Sequence, residues 1–157
     1  MRTLVGLAFV AMTAIALAAP SAEVPPTRAQ ALFRWLRDGV YRQTFTPEPA
    51  VRESAIGAHG LHVRSWYSPV LAEDLRAGVL PYRRGAAMVK ELYFAGTEEV
   101  VGWSVMRKVR RKSAGGRGWY FFETFDGRMA LAKGRGVGIC VGCHGAGTDF
   151  LLSDFRP

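Results

Sequence analysis

The sequence predicts an α+β domain in which helices flank an antiparallel β-sheet, and three observations support this fold class. Four segments favour β-structure, three of them dense in Val, Tyr, Trp and Phe, and Gly-rich or charged turns separate those three. Two other segments have the start and stop signals of helices. Hydrophobic residues make up 49% of the chain and charged residues 22%, a balance that supports a packed core and argues against disorder.

The first 18 residues have the features of a secretory signal peptide. Arg2 supplies a positive start, residues 4–18 form an apolar run, and Ala16-Leu17-Ala18 has the small-x-small pattern that precedes cleavage. Because a membrane span needs about 20 apolar residues, residues 1–18 are interpreted as a cleaved signal rather than a retained anchor. We therefore expect a periplasmic protein without a membrane span after cleavage.

The remaining chain is predicted to consist of a short linker at 19–26 and a single domain at 27–157. Without Arg2 it has 20 Lys and Arg against 13 Asp and Glu, a net charge of +7. A basic surface attracts nucleic acid, anionic lipid or an acidic protein. Export and the lack of a nucleic-acid-binding motif argue against the first of these, so no nucleic acid partner is expected.

A helix is predicted from Thr27, its expected N-cap, to about Asp38, just before Gly39. Its apolar residues recur at three- and four-residue spacing, which predicts a face packed on the core. These residues are Ala31, Leu32, Trp35 and Leu36. Segment 44–60 contains Pro and Gly and has no clear period, so it is predicted to be a loop.

A strand is predicted at 61–67, where the residues alternate and favour β-structure. Ser68 and Pro69 then combine an N-cap with a proline at the first helical position, so a short helix is expected to about Arg76, with Gly78 beyond its end. Three more strands are predicted at 87–94, 100–109 and 118–125.

Basic residues surround the segment 113–116 between the last two predicted strands. They are Arg107, Lys108, Arg110, Arg111, Lys112 and Arg117. This pattern predicts a hairpin tip whose charges lie in water. A docking patch for an acidic redox partner is the alternative, but charge alone selects no partner.

The segment Cys140-Val141-Gly142-Cys143-His144 has the c-type haem attachment pattern. Two cysteines three residues apart on one helical turn can reach both vinyl-bearing edges of a porphyrin, and the next residue then points its imidazole at the iron from the same side. The sequence therefore predicts one covalent haem c, attached through Cys140 and Cys143, with His144 as the proximal iron ligand.

Other interpretations of the two cysteines explain less of the pattern. A structural zinc ion takes four ligands, and only His59 and His62 are available beyond the motif to complete the set. A thioredoxin-type pair lies at the start of a helix in a βαβ unit, whereas this pair lies near the C-terminus. A plain disulfide leaves the adjacent histidine unexplained.

A sixth iron ligand has no candidate after the motif, because none of the 13 residues that follow His144 is Met, His or Lys. The candidates before it are His59, His62, Met88, Met106 and Lys90. The methionines lie in apolar strand patterns typical of a core, and the histidines flank a loop, as surface histidines do. We therefore expect a five-coordinate iron with an open face, the arrangement that binds or transforms a small ligand.

A C-terminal haem motif in a β-rich chain resembles the cytochrome P-460 family, which includes the β-sheet cytochromes c′. The matching segments cover most of residues 60–150. They are Val63-Arg64-Ser65-Trp66-Tyr67-Ser68-Pro69, Gly85-Ala86-Ala87-Met88-Val89-Lys90-Glu91-Leu92-Tyr93, Gly102-Trp103-Ser104-Val105-Met106, Gly118-Trp119-Tyr120-Phe121-Phe122-Glu123 and the haem motif. Only the haem motif is specific by itself; the order and spacing of the others support the resemblance.

The resemblance implies an exported homodimer with a cytochrome P-460-like sheet, a C-terminal haem-attachment helix and a five-coordinate haem. In cytochrome P-460 the lysine of the Val-Lys-Glu segment is bonded to the porphyrin, and Lys90 matches that lysine. The alternative is an ordinary strand lysine with its ammonium in water. Strand alternation, however, places Lys90 on one face with Met88 and Leu92.

Enzymes of this family oxidise hydroxylamine with the help of a distal glutamate, which implies an oxidoreductase for a small nitrogen compound that passes electrons to another cytochrome. Ser104 aligns with that glutamate, which weakens the prediction. Glu123 is the nearest strand carboxylate that could replace it, and a solvent-facing structural role is its alternative.

The β-sheet cytochromes c′ instead bind nitric oxide or carbon monoxide, without turnover, in an apolar pocket often capped by Phe. Candidates for such a cap are Phe94, Phe121, Phe122 and Phe125, although most of them are expected to be core. Simple electron transfer is a third expectation, and it requires a sixth ligand. The sequence leaves the three functions open, with a preference for the oxidoreductase because Lys90 is present.

Overall fold

The computed structural model describes residues 24–55, 57–94 and 97–156. Within these residues the predicted α+β architecture is confirmed, since a seven-stranded antiparallel sheet is flanked by three α-helices. The predicted signal peptide at 1–18 and most of the predicted linker at 19–26 lie outside the described residues. None of the helices found in the described part of the chain is long and apolar enough to cross a membrane.

The sheet has the order β1-β3-β4-β5-β6-β7, and β2 also pairs with β3. The strands are β1 (Thr46–Pro47), β2 (Arg52–Glu53), β3 (His62–Tyr67), β4 (Ala87–Tyr93), β5 (Val100–Lys108), β6 (Trp119–Thr124) and β7 (Ala132–Arg135). The helices are α1 (Ala29–Arg37), α2 (Pro69–Ala77) and α3 (Gly138–His144), and a 3₁₀ helix spans Val40–Gln43. Neighbouring long strands are also neighbours in sequence, and the helix α2 lies in the connection from β3 to β4.

The four predicted strands correspond to β3, β4, β5 and β6, and the two predicted helices correspond to α1 and α2. Ser68 caps α2, because its hydroxyl accepts a hydrogen bond from the Leu71 N–H at 3.2 Å. The predicted cap Thr27 is wrong: Arg28 occupies that position without a side-chain hydrogen bond, and α1 begins at Ala29. Segment 44–60 is predicted to be a loop, but it contains the two-residue strands β1 and β2, which are too short to give a pattern. The strand β7 carries no apolar alternation, which is why the sequence did not predict it.

The sheet separates two apolar clusters, so the domain has three layers. One cluster lies between the sheet and α1, whose Leu32, Trp35 and Leu36 are buried as predicted. The sheet contributes to this cluster Trp66, Ala87, Val89, Trp103, Val105, Tyr120 and Phe122. This face therefore forms the larger part of the structural core.

The opposite face of the sheet packs against α2 and α3. Its buried members are Tyr67, Leu71, Ala72, Tyr82, Ala86, Met88, Met106, Trp119, Phe121 and Leu151. Cys140 and Val141 of α3 pack against them in partly buried positions. The predicted haem motif is thus seated on the face of the sheet that α1 does not cover.

The basic segment around 113–116 differs from the predicted solvated tip. Arg110, Arg111, Lys112 and Arg117 are exposed as expected, and Arg107 is half-buried with its guanidinium donating to the Pro25 carbonyl at 2.6 Å. Lys108, however, is fully buried. A Cβ on Gly116 would approach Val141 Cγ2 to 2.4 Å, so this loop packs directly on α3. The prediction that all these charges lie in water is therefore wrong for Lys108.

A buried carboxylate organises the α1 side of the sheet. The side chain of Glu91 is fully buried and accepts hydrogen bonds from Trp66 Nε1 at 2.8 Å, from Tyr93 Oη at 2.5 Å and from Tyr41 Oη. Arg42 adds two more, at 2.9 Å from Nε and 2.5 Å from Nη2. Burial alone would raise the pKa of Glu91, but these donors stabilise the charged form and lower it.

Candidate functional site

The predicted haem motif forms the helix α3, which has Cys140, Cys143 and His144 at relative positions i, i+3 and i+4. Residues at these spacings lie on one side of a helix. His144 is buried, Cys140 is half-buried and Cys143 is exposed. The helix therefore places both thiols and the imidazole along the boundary between the sheet and the solvent.

The imidazole of His144 is held in one orientation by the chain that follows it. Its Nδ1 lies 2.9 Å from the carbonyl oxygen of Phe150. Because a carbonyl can only accept, Nδ1 carries the proton and donates. Burial lowers the pKa of His144, which favours the neutral ring. Nε2 is then the unprotonated nitrogen, and it is available to bind a metal.

Three strand residues form a row across the sheet on the face that α3 covers. In the register of the sheet, Lys90 of β4 lies opposite Ser104 of β5, and Ser104 lies opposite Glu123 of β6. Ser65 of β3 extends the row on the other side of Lys90. Lys90, Ser104 and Glu123 are therefore cross-strand neighbours in one row.

A cleft of about 600 Å³ opens between this face of the sheet, α3 and the C-terminal segment. Its lining includes Lys90, His59, Cys143 and His144. The volume lies within the range of roughly 300–1,000 Å³ found for sites of small molecules and cofactors. The arrangement can therefore hold a ligand that is in contact with the haem motif and with the strand lysine together.

A second, much smaller cavity lies beside the cleft, deeper against the sheet. It shares Lys90, His59 and His144 with the cleft and is otherwise mostly apolar. The other residues that line it are Met88, Ser104, Val105, Met106, Phe121, Phe122 and Cys140. The site thus has a polar side and an apolar side.

Lys90 is half-buried and titrates at a lower pH than a solvated lysine. Burial and, to a smaller extent, the neighbouring Arg52 guanidinium lower its pKa to about 8, although the carboxylates of Glu48 and Glu123 act in the opposite direction. A larger fraction of the amine is consequently unprotonated near neutral pH than for an exposed lysine. The ordinary alternative, a strand lysine with its ammonium in bulk water, does not fit this position.

Glu123 does not face solvent, so the solvent-facing alternative for this residue is wrong. Its carboxylate Oε1 lies 2.5 Å from His59 Nδ1, and both side chains are largely buried, with 15% and 18% exposure. The rings of His59 and His144 have their centroids 6.0 Å apart. An acid–base pair therefore stands beside the imidazole of the motif.

The candidates for a sixth iron ligand divide between the two faces of the sheet. His59, Met88, Met106 and Lys90 all line the small cavity with His144. His62 lies on the α1 side, because it alternates with Val63 and shares its face with Trp66. It is thus separated from the cysteines by the sheet and cannot complete a zinc site with them.

The four phenylalanines proposed for a distal cap also separate. Phe121 is buried, lines the small cavity and packs against His144 with ring centroids 5.7 Å apart. Phe122 is buried in the cluster on the α1 side. Phe94 and Phe125 are exposed, so the expectation that most of these rings are core is wrong: two of the four are buried.

The residues present fit a covalently attached haem. His144 offers a neutral imidazole with Nε2 available, and Cys140 and Cys143 are both free thiols one helical turn apart. The cleft next to them has the size of a cofactor site. Among residues 24–55, 57–94 and 97–156, no group of three or more His, Cys, Asp and Glu is arranged to hold a bare metal ion.

Two parts of the site gave no signal in the sequence. Glu48 is buried in the cleft wall and accepts a hydrogen bond from the Ser65 N–H at 2.9 Å, although it belongs to a segment predicted to be a loop. The partner of His144 Nδ1 is a backbone carbonyl, which any residue at position 150 could supply. The role of Glu48 follows only from its contact with Ser65 on β3, and that of the Phe150 carbonyl only from the path of the backbone after α3.

Comparison with protein-family models finds none that matches this chain, and comparison with curated proteins likewise finds no match. The family and the cofactor that the resemblance implies therefore remain predictions.

Proposed function

We propose that this chain is an exported mono-haem c-type cytochrome of the cytochrome P-460 type, which oxidises hydroxylamine or a related small nitrogen compound. One observation carries the proposal: Lys90 and His59, whose Nδ1 is paired with Glu123, line the same space as His144 and the motif cysteines. A structural or purely electron-carrying motif does not require an amine and an acid–base pair at this place.

In this proposal Cys140 and Cys143 form the two thioethers, and His144 binds the iron through Nε2. Haem, when bound, supplies an iron centre that takes up the nitrogen compound and its electrons. Lys90, which lines the same space as His144, is the residue that would carry the bond to the porphyrin in a P-460-type haem. The apolar wall formed by Met88, Met106 and Phe121 excludes water from that side.

The chain's own contribution to the reaction is the handling of protons. Oxidation of hydroxylamine releases protons as well as electrons. His59 is oriented by Glu123 through Nδ1, so its other nitrogen is free to accept a proton in the cleft. The carboxylate stabilises the imidazolium that results. The electrons pass to a redox partner cytochrome.

We expect Lys90→Met to abolish any shift of the haem spectrum and to lower hydroxylamine turnover by about 10- to 100-fold, the range for loss of a tuning residue next to a cofactor. The measurements are the pyridine haemochrome and ferrous spectra, the mass of the haem-bearing peptide and steady-state turnover. Lys133→Met is the matched control, because Lys133 is an exposed strand lysine on β7.

An ordinary c-type spectrum in the wild-type protein, with Lys90 unmodified by mass, would refute the P-460-type enzyme. The gas-binding alternative would then stand, a cytochrome c′-like protein that takes up nitric oxide or carbon monoxide without turnover. The apolar wall around Phe121 is the observation that favours it.

A second candidate function is electron transfer by a six-coordinate haem, for which His59 would supply the second protein ligand to the iron. The 6.0 Å separation of the His59 and His144 rings favours it. Under the first proposal the ferric protein is high-spin and stays so in His59→Ala. A low-spin ferric spectrum in the wild type that becomes high-spin in His59→Ala, and not in the control His62→Ala, would establish electron transfer instead.

The cellular setting belongs to the same proposal. We infer a periplasmic protein that acts as a homodimer, as the resemblance implies. Its basic surface supports an acidic redox partner, since Arg110, Arg111 and Lys112 are exposed on the loop whose Gly116 packs against Val141 of the site helix.

A further inference from the structure

The segment directly after the haem motif holds an unusual backbone conformation. Asp149 and Phe150 have φ angles of 47° and 70°, in the left-handed region that non-glycine residues rarely adopt. Such conformations persist where the surrounding structure holds them in place. The carbonyl of Phe150 is the group that accepts the hydrogen bond from His144 Nδ1. The conformation of this segment therefore fixes the direction in which the Nδ1–H of His144 donates its hydrogen bond.

A buried ion pair holds the segment in that conformation. The Asp149 carboxylate is 8% exposed and accepts from Lys108 Nζ at 2.6 and 2.8 Å, while the ammonium itself is fully buried. Ser113 Oγ and the Tyr82 N–H, at 2.8 Å, donate to the same carboxylate. The ammonium also lies 4.8 Å from the centroid of the Trp119 ring. Donors from three separate parts of the chain thus converge on one side chain.

Stability alone does not account for this arrangement. Two buried charges lose their hydration, and replacing such a pair by apolar residues of the same volume often leaves stability unchanged or raises it. What an ion pair with fixed hydrogen bonds adds is geometry. Asp149 is bonded directly to Phe150, so fixing the Asp149 side chain also restricts the position of the Phe150 carbonyl.

We propose that Lys108 and Asp149 are positioning residues for the proximal iron ligand: they hold the Phe150 carbonyl against His144 Nδ1 and thereby set how strongly the imidazole donates to the iron. The proposal rests on the proposed function only in requiring that His144 binds haem iron. A hydrogen bond donated by Nδ1 raises the basicity of the ring, and a more basic ligand favours ferric over ferrous iron. Weakening the bond has the opposite effect.

The test is Asp149→Asn in the haem-loaded protein, with Ser113→Ala as a milder second variant that removes one donor to the carboxylate. Resonance Raman spectra of the ferrous protein are expected to show a lower iron–histidine stretching frequency. The ferric–ferrous equilibrium is expected to shift about tenfold towards ferrous iron. For a one-electron couple this raises the reduction potential by about 59 mV. Ser113→Ala should move both readouts in the same direction by a smaller amount.

Glu91→Gln is the matched control, since it also alters a fully buried carboxylate with several donors but lies on the α1 side of the sheet. It should leave both readouts at their wild-type values. Variants that carry haem and retain the wild-type frequency and potential would overturn the inference, as would an equal shift in Glu91→Gln. If Asp149→Asn does not mature, Ser113→Ala decides. A wild-type protein without haem would instead refute the proposed function, so the two failures are distinguishable.

Discussion

The double variant Cys140→Ala/Cys143→Ala, made in the Lys90→Met background, is expected to contain no covalently bound haem. The chain has only two cysteines, so no other thiol can form a thioether. Removing Lys90 as well eliminates the one additional bond that the proposal assigns to the porphyrin. The measurement is the mass of the denatured protein and the haem left on the polypeptide after extraction in acidified acetone, in a host that matures c-type cytochromes.

The matched control for this experiment is Lys90→Met alone, which should keep its haem through both thioethers. His62→Ala serves as a second control, because this histidine lies across the sheet from the motif. Haem that stays bound in the triple variant after extraction would contradict the assignment of Cys140 and Cys143. A colourless wild-type protein of unmodified mass would contradict the haem protein altogether.

Replacing Glu91 is expected to cause the largest loss of stability of any single substitution considered for this chain. Glu91→Ala leaves the buried donors Tyr41 and Trp66 and the partly buried Tyr93 and Arg42 without their acceptor. Removing one partner from a buried charged network destabilises by about 3–5 kcal/mol. Glu91→Gln retains the shape but loses the charge, and about 1.5–3 kcal/mol is expected, the range for hydrogen bonds to a charged group. Urea unfolding at neutral pH measures both.

The pH dependence of this loss follows from the direction of the pKa shift. The hydrogen-bonded Glu91 has a lower pKa in the folded protein than in the unfolded chain, where it is about 4.3. The contribution of Glu91 to the free energy of unfolding is therefore fully present above its pKa in the unfolded chain. It is lost as the pH falls through its pKa in the folded protein. The gap in unfolding free energy between wild type and Glu91→Gln should be constant near neutral pH and shrink in acid. A gap that widens in acid would contradict the network.

Glu53→Gln is the control for both measurements, since Glu53 is an exposed carboxylate on the edge strand β2. Exposed substitutions of this kind usually change the unfolding free energy by less than about 0.5 kcal/mol. An effect of Glu91→Gln no larger than that of Glu53→Gln would show that the buried network does not stabilise the fold.

The elements that the sequence determined by itself are those that depend on local pattern. The strand at 61–67, the three strands that follow and the capped helix after Ser68 all depend on alternation, β-forming residues or a proline at the first helical turn, which act within a few residues. The spacing of Cys140, Cys143 and His144 is also local, so the placement of these three side chains on one helix was predictable. Alternation likewise predicted that Lys90 shares a face with Met88.

Only the tertiary structure decided which distant residues meet. Alternation assigns a residue to a face but says nothing about register, so the row of Lys90, Ser104 and Glu123 and the contact of Glu123 with His59 could not be predicted. Lys108 lies in a basic run typical of a solvated turn, and its burial depends on Asp149, 41 residues later. Such contacts are set by strand pairing and loop closure over the whole chain, which a local pattern does not encode.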